Sequence, residues 1–163
     1  MPPLTKDFIF AMRRLASGVS VITCCDSDGL WHGMTATSVT SLTAEPASLL
    51  VCVNKSSRFF AAMHECTRFC VNVLGADQVD VSTAFGRPMP SEQRFQVGVW
   101  TVNEEGVPVL DAAQSSVTCQ VDQVHEYATH MIFIGRVLAC DASPTVSPLV
   151  YQNGSYSRTT ATV

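Results

Sequence analysis

Charge, basic clusters and long apolar runs are what this chain of 163 residues has least of. No apolar stretch approaches the ~20 residues that a helix needs to span a bilayer. Charged side chains make up only 15% of the sequence, with 10 Lys and Arg against 14 Asp and Glu, for a net charge of −4. With no Lys/Arg cluster, the electrostatic footprint of a nucleic-acid binder is missing. The opening residues Met1-Pro2-Pro3-Leu4-Thr5-Lys6-Asp7 hold no basic region followed by an apolar core. No secretory leader is read there, and the cytoplasm is the expected compartment. A glycine-rich GxGxxG loop, a P-loop and a nucleophile elbow are also missing from the pattern. No internal repeat, linker or low-complexity segment interrupts it, so one domain over residues 1–163 is expected.

Cysteine, by contrast, is plentiful: Cys24, Cys25, Cys52, Cys66, Cys70, Cys119 and Cys140. An odd count in apolar, strand-like contexts reads as reduced thiols acting as small hydrophobes. His64, Cys66 and Cys70 could be offered as metal ligands, but no second Cys or His pair follows at zinc spacing, and no metal is expected. The apolar fraction of 47% is ordinary, and the chain is long enough to bury a core without disulfides. A dimer that hides part of each subunit would account for the shortage of charge.

Periodicity supplies the elements. Phe8, Ala11, Met12 and Leu15 recur at helical spacing, predicting an amphipathic helix over 5–16 ended by Gly18. Val19 to Cys25 is rich in β-branched residues, Asp26-Ser27-Asp28-Gly29 is a turn, and Leu30 to Thr37 returns as a hairpin partner. Ala44-Glu45-Pro46 turns again into a buried strand over 48–54. Ser56-Ser57 starts a short helix over 58–65. A strand over 69–74, a helix over 76–84 and a loop over 86–91 follow. Long strands over 116–125 and 131–140 come next, and Asn153-Gly154 turns a last hairpin. Many strands with turn signals and few helices predict a small β-barrel with accessory helices.

Two segments carry chemistry. Gly33-Met34-Thr35-Ala36-Thr37-Ser38, continued to Ser41, packs small residues and hydroxyls after a strand. Such a run lets a flat anionic cofactor approach the backbone and hydrogen-bond to it, although a Ser/Thr-rich strand and turn has the same composition. Asn54-Lys55-Ser56-Ser57-Arg58 sets hydroxyls and two cations at a helix start, where free N–H groups and the dipole favour a phosphate. A plain cap with two solvated cations reads the same, and the sequence leaves open whether Lys55 or Arg58 faces an anion.

The chain resembles the short-chain flavin reductase family, the reductase components of two-component flavin-dependent monooxygenases. The resemblance runs from Phe10-Ala11-Met12-Arg13-Arg14-Leu15-Ala16-Ser17-Gly18-Val19 through the Gly33–Ser41 run, Asn54-Lys55-Ser56-Ser57 and Phe69-Cys70-Val71-Asn72-Val73-Leu74. It continues in Arg94-Phe95, Trp100, Pro108 and Leu110. It closes with His130-Met131-Ile132-Phe133-Ile134-Gly135-Arg136-Val137 and Pro148-Leu149-Val150-Tyr151. It departs at Val39, where an aromatic is common, at Thr43, where Ser is common, and at Ala128-Thr129, where Gly-Asp is usual.

The resemblance implies a mainly β fold: an FMN-binding split β-barrel of antiparallel Greek-key type with a few short helices, forming a homodimer. It implies FAD or FMN as flavin and NADH or NADPH as co-substrate. Hydride would pass directly from nicotinamide to flavin, and reduced flavin would go to a separate oxygenase, usually an aromatic hydroxylase. Flavin contacts then fall to Gly33, Met34, Thr35, Ala36, Thr37, Ser38, Ser41, Cys52, Val53, Asn54, Lys55, Ser56 and Ser57. His130 falls on the nicotinamide side. From the residues themselves, Phe85-Gly86-Arg87 reads as a mobile loop whose aromatic and cation could cover a stacked nicotinamide, although a plain exposed loop has the same composition. A flavin-binding module without turnover and a pyridoxamine-phosphate-oxidase-like FMN enzyme are the alternatives; the second would want Arg clusters that the sequence does not display.

Overall fold

The computed structural model describes residues 2–160. Its central feature is a seven-stranded antiparallel sheet. Helix α1 (Pro3–Met12) and the short β1 (Ser17–Gly18) lead into the hairpin β2 (Ser20–Cys25) and β3 (Trp31–Ala36). Next come β4 (Val39–Ala44) and β5 (Ala47–Asn54), then α2 (Arg58–Glu65) and β6 (Arg68–Val73). Helices α3 (Val79–Gly86) and α4 (Ser91–Arg94) and the small hairpin β7 (Trp100–Val102) and β8 (Pro108–Leu110) follow. The long pair β9 (Ser115–Tyr127) and β10 (His130–Ala142) and the hairpin β11 (Leu149–Gln152) and β12 (Ser155–Arg158) complete the chain.

The large sheet runs β3-β2-β6-β9-β10-β5-β4. Its two edge strands, β3 and β4, are consecutive in sequence and joined by Thr37-Ser38 alone. Three residue steps from Ala36 to Val39 reach at most about 11 Å. The edges must therefore meet, and the sheet curls into a barrel. No ladder joins β3 to β4, so the barrel is split along that seam, which Thr37 and Ser38 cross. The split barrel that the family resemblance implies is closed through this one two-residue link.

Strand alternation fills the interior. Ile22, Val51, Val53, Phe69, Val71 and Phe133 form the barrel core, and α2 plugs one end with Phe59 and Met63. A second cluster outside the barrel packs Val81, Ala84 and Phe85 of α3 on Val19, Val21 and Leu149. Gly135 lies where β9 and β10 slip register, and a Cβ there would stand 2.5 Å from the Phe69 ring. The Asn153-Gly154 turn uses positive φ at both residues, 52° and 87°, as a tight hairpin of this kind requires.

Several expected boundaries move. The first helix ends at Met12, not Ala16, and buries none of its residues. The helix expected over 76–84 runs instead from Val79 through Phe85 to Gly86, because Phe85 docks into the second cluster and Pro88 stops the helix only after Arg87. The loop expected over 86–91 gives way at Ser91 to the single turn of α4. Buried thiols of Cys24, Cys66, Cys70 and Cys119 sit in the core as expected. Among the described residues no helix is long and apolar enough to cross a membrane.

Candidate active site

The β3 strand presents two faces to two partners. Ala36 is buried and Met34 packs against the barrel core, whereas Gly33 and Thr35 face α3. Gly33 is required because a Cβ there would lie 2.6 Å from the Phe85 ring. The Thr35 hydroxyl donates to the Ser82 carbonyl at 2.7 Å. The small residues at Gly33 and Ala36 are thus explained first by packing. Val53 is likewise fully buried, so only its main chain can reach a ligand. Phe85 does not ride a mobile loop: it lies in α3, 2% exposed, with its ring 5.0 Å from Phe95 and 5.1 Å from Trp100.

Polar groups gather where the seam meets the end of β5. Ser38 donates its hydroxyl to the Cys52 carbonyl at 3.0 Å, and the Cys52 N–H donates to the Ser38 carbonyl at 3.2 Å. Asn54 accepts from both the N–H and the hydroxyl of Ser56 at 2.9 Å. Ser57 caps α2, its hydroxyl oxygen accepting from the Phe60 N–H at 3.2 Å. Lys55 pairs with Glu126, whose carboxyl it holds below the ordinary range. His130 stands opposite Asn54 in the β10–β5 ladder, exposed, with Nδ1 2.9 Å from the Thr129 hydroxyl. Ser41 lies farther along β4, exposed and paired with Leu49.

Beside this cluster a cavity of about 420 Å³ opens between β3, α2 and the α3–α4 connection. Met34, Thr35, Ser57, Arg58, Arg87 and Arg94 line it. Of the two cations at residues 55 and 58, Arg58 lines the cavity, whereas Lys55 is engaged by Glu126. Arg94, absent from the sequence-based site, is the best-anchored of the three guanidiniums. It donates to the Gly33 carbonyl at 2.8 Å and to the Arg87 carbonyl at 2.9 Å, and its buried Nε has no partner. Burial, helped by the charge of Arg58, makes its protonated form harder to keep. Among the described residues, none of the three arginines forms an ion pair. Three cations converging without a carboxylate leave an uncompensated positive field, and a phosphate is the group that matches it. A pairing of Arg94 with residues 58 and 87 spans a helix, a loop and a second helix, so no local spacing announces it.

Comparison with known proteins agrees with this architecture. Residues 12–160 match the family described as "Flavin reductase like domain". The reductase component of an FADH(2)-dependent resorcinol hydroxylase from Rhizobium sp. (strain MTP-10005) is 40% identical over 152 residues, 93% of this chain and 85% of that protein. An FMN reductase (NADH), RutF, from Stutzerimonas stutzeri (strain A1501) is 36% identical over 155 residues, 95% of this chain and 88% of that protein. The NADH:FAD oxidoreductase SgcE6 of Streptomyces globisporus C-1027, solved with NAD and FAD fragments, superposes with a TM-score of 0.89. It is 26% identical over 98% of this chain and 96% of that one. Split barrel, seam and sequence match concur: this chain belongs to the flavin reductase like domain family.

Proposed function

We propose that the chain is an NAD(P)H:flavin oxidoreductase whose arginine cavity takes the phosphate of a flavin nucleotide. The observation that carries this reading is the convergence of Arg58, Arg87 and Arg94, without counter-ions, beside Ser57 and the barrel seam. The residues fit the group. Guanidiniums hold a phosphate by paired donors, and the start of the eight-residue α2 adds N–H groups and a favourable dipole. Bound flavin supplies the ring that accepts hydride from a nicotinamide.

The chain's own part is to bind, orient and exclude water. Thr37 offers its hydroxyl at the seam, which Ser38 and Cys52 brace by hydrogen-bonding to each other. Arg94, tied to the Gly33 and Arg87 carbonyls, holds the cavity wall in place. His130, opposite Asn54, sits where an imidazole N–H can steady a nicotinamide amide or phosphate. No acid, base or nucleophile is needed, so substitutions should act on binding and alignment.

The partner reading is a separate oxygenase that receives reduced flavin, supported by the resorcinol hydroxylase relative, with an aromatic compound as the final substrate class. The enzyme works as a homodimer, for which the exposed apolar face of α1 provides a surface. Buried free thiols fit the reducing cytoplasm. Oxidation of NADH and NADPH is to be followed with FAD, FMN and riboflavin in turn. Turnover that needs added flavin, and an Arg87→Ala variant that loses FMN affinity but keeps riboflavin affinity, are the expected results. Flavin binding without turnover would make the chain a carrier instead.

A further inference from the structure

All seven cysteines are free thiols, and two of them meet where α2 packs on β2. Cys24 lies on β2 and Cys66 caps the C-terminal end of α2, and both belong to the barrel core. The Cys24 thiol donates to the Cys66 sulfur, and the Cys66 thiol donates to the Cys25 carbonyl at 3.2 Å. Packing two small hydrophobes into a core does not by itself require their sulfurs to share a hydrogen bond. Cys24 is fully buried, whereas Cys66, at 9% exposed, is the member of the pair nearer solvent. The bond from Cys24 holds the Cys66 thiol below its ordinary range, against the opposing pull of burial and of the Asp26 and Glu65 carboxylates. The same bond, with burial, pushes the Cys24 thiol up. One sulfur is the readier thiolate and the other keeps its proton, which is the division of labour between an attacking and a resolving thiol.

We propose that Cys24 and Cys66 are an oxidation site at which hydrogen peroxide forms a disulfide, and that this bond weakens flavin binding through α2. The oxidant comes from the reaction itself. Reduced flavin that is not handed on gives two electrons and two protons to dioxygen, returning oxidised flavin and hydrogen peroxide. The Cys66 thiolate attacks one peroxide oxygen, the O–O bond breaks, and the hydroxide that leaves takes up a proton as water. Cys66 is then a sulfenic acid. The Cys24 sulfur attacks the Cys66 sulfur, the S–O bond breaks, and the departing hydroxide takes the Cys24 proton. Two thiols have lost two electrons and two protons, and one peroxide has become two waters. The consequence runs along the helix. Cys66 ends α2, while Ser57 and Arg58 at its start line the arginine cavity. Over eight residues, about 12 Å, the helix is a stiff rod, so a covalent tie at one end is felt at the other. The disulfide stands on the thiol geometry; its effect on flavin rests on the arginine cavity being the phosphate site.

The test treats the full chain with hydrogen peroxide and maps its unreduced peptides by mass. It is run on the parent and on Cys140→Ser, which removes the exposed thiol. FMN affinity is measured by flavin fluorescence before oxidation, after it, and after dithiothreitol. Cys66→Ser and Cys24→Ala are compared in the Cys140→Ser background, each checked for fold by circular dichroism. The expected result is a linked Cys24–Cys66 peptide and an FMN affinity lowered about fivefold or more, restored by dithiothreitol. Whichever of the two variants folds should keep its FMN affinity through peroxide. Because coupling is reciprocal, saturating FMN should make the pair harder to oxidise in a glutathione buffer by the same factor. The proposal is overturned if peroxide that oxidises Cys140 in the parent leaves Cys24 and Cys66 unlinked, or if the linked protein binds FMN as the reduced one does. Failure of the phosphate reading has a different signature: Arg87→Ala would then bind FMN as the parent does, a result that leaves the mass of the linked peptide untouched.

Discussion

Single side chains in this site do two jobs, and the two can be separated. Ser57 caps α2 and lines the arginine cavity. Ser57→Ala should therefore lose about 1 kcal/mol of stability along with flavin affinity. Ser57→Asp should keep the cap and repel the phosphate. Urea unfolding and flavin titration on the pair will show whether stability and affinity part company; an Asp variant that binds FMN as well as the parent would remove Ser57 from the site. Ser56 bonds back to Asn54 and does not line the cavity, so Ser56→Ala should leave affinity alone. Gly33 is a packing glycine. Gly33→Ala drives a methyl into the Phe85 ring and should cost about 1–3 kcal/mol, read as a lowered Tm.

At the scale of elements, the end of β5 and the start of β10 act as one piece. Their ladder fixes His130 beside Asn54, and the turn through Ala128, with φ of 48°, and Thr129 sets its approach. His130→Ala should raise the NADH KM and lower turnover, by up to about 100-fold in rate if alignment is lost, while flavin affinity holds. Stopped-flow hydride transfer is the measurement; parent-like rates at every NADH concentration would show that other groups hold the nicotinamide. Helix α3 is the counterpart on the other wall. It runs on through Phe85, so the aromatic is a buried strut that borders the cavity from the helix, with Gly86, Arg87 and Pro88 beside it.

The whole molecule leaves apolar surface uncovered. Leu4, Phe8, Ile9, Phe10, Met12 and Leu15 are each between 43% and 80% exposed on or just after α1. Single large side chains in water are ordinary, but a contiguous set on one short helix is the surface that the proposed dimer would cover. Sedimentation should find a dimer at micromolar concentration, and Phe8→Asp should shift it toward monomer. A fully active monomeric parent would refute this. The core thiols set an alkaline limit. Burial pushes Cys70 up from 9.0 to about 11 and Cys119 up to about 12. The unfolded chain releases these protons from about pH 9 while the fold retains them. Stability is therefore full below pH 9 and falls as pH rises through 11 and 12. A Tm that drops above pH 9, less steeply in a Cys70→Ala/Cys119→Ala variant, is expected.

Local patterns carried most of the secondary structure. β-Branched residues marked β2, a continuous apolar run marked β5, long strand-like runs marked β9 and β10, the Ser56-Ser57 start marked α2, and Asn153-Gly154 marked the last hairpin, since each depends on neighbours in the chain. The three-residue strands β7 and β8 and the four-residue α4 were illegible, being too short for a period of 2 or 3.6 residues to repeat. At the site, the sequence by itself determined that hydroxyls and cations stand at the start of α2. It also placed a glycine and small residues on β3. Only the tertiary structure decided what they serve. Gly33 is small because Phe85 arrives from 52 residues away, and Lys55 is withdrawn by Glu126 on β9. Arg94 completes the cavity through carbonyls of Gly33 and Arg87. Charge convergence is a sum over distant segments, and it exists only after the sheet has closed on itself at Thr37 and Ser38.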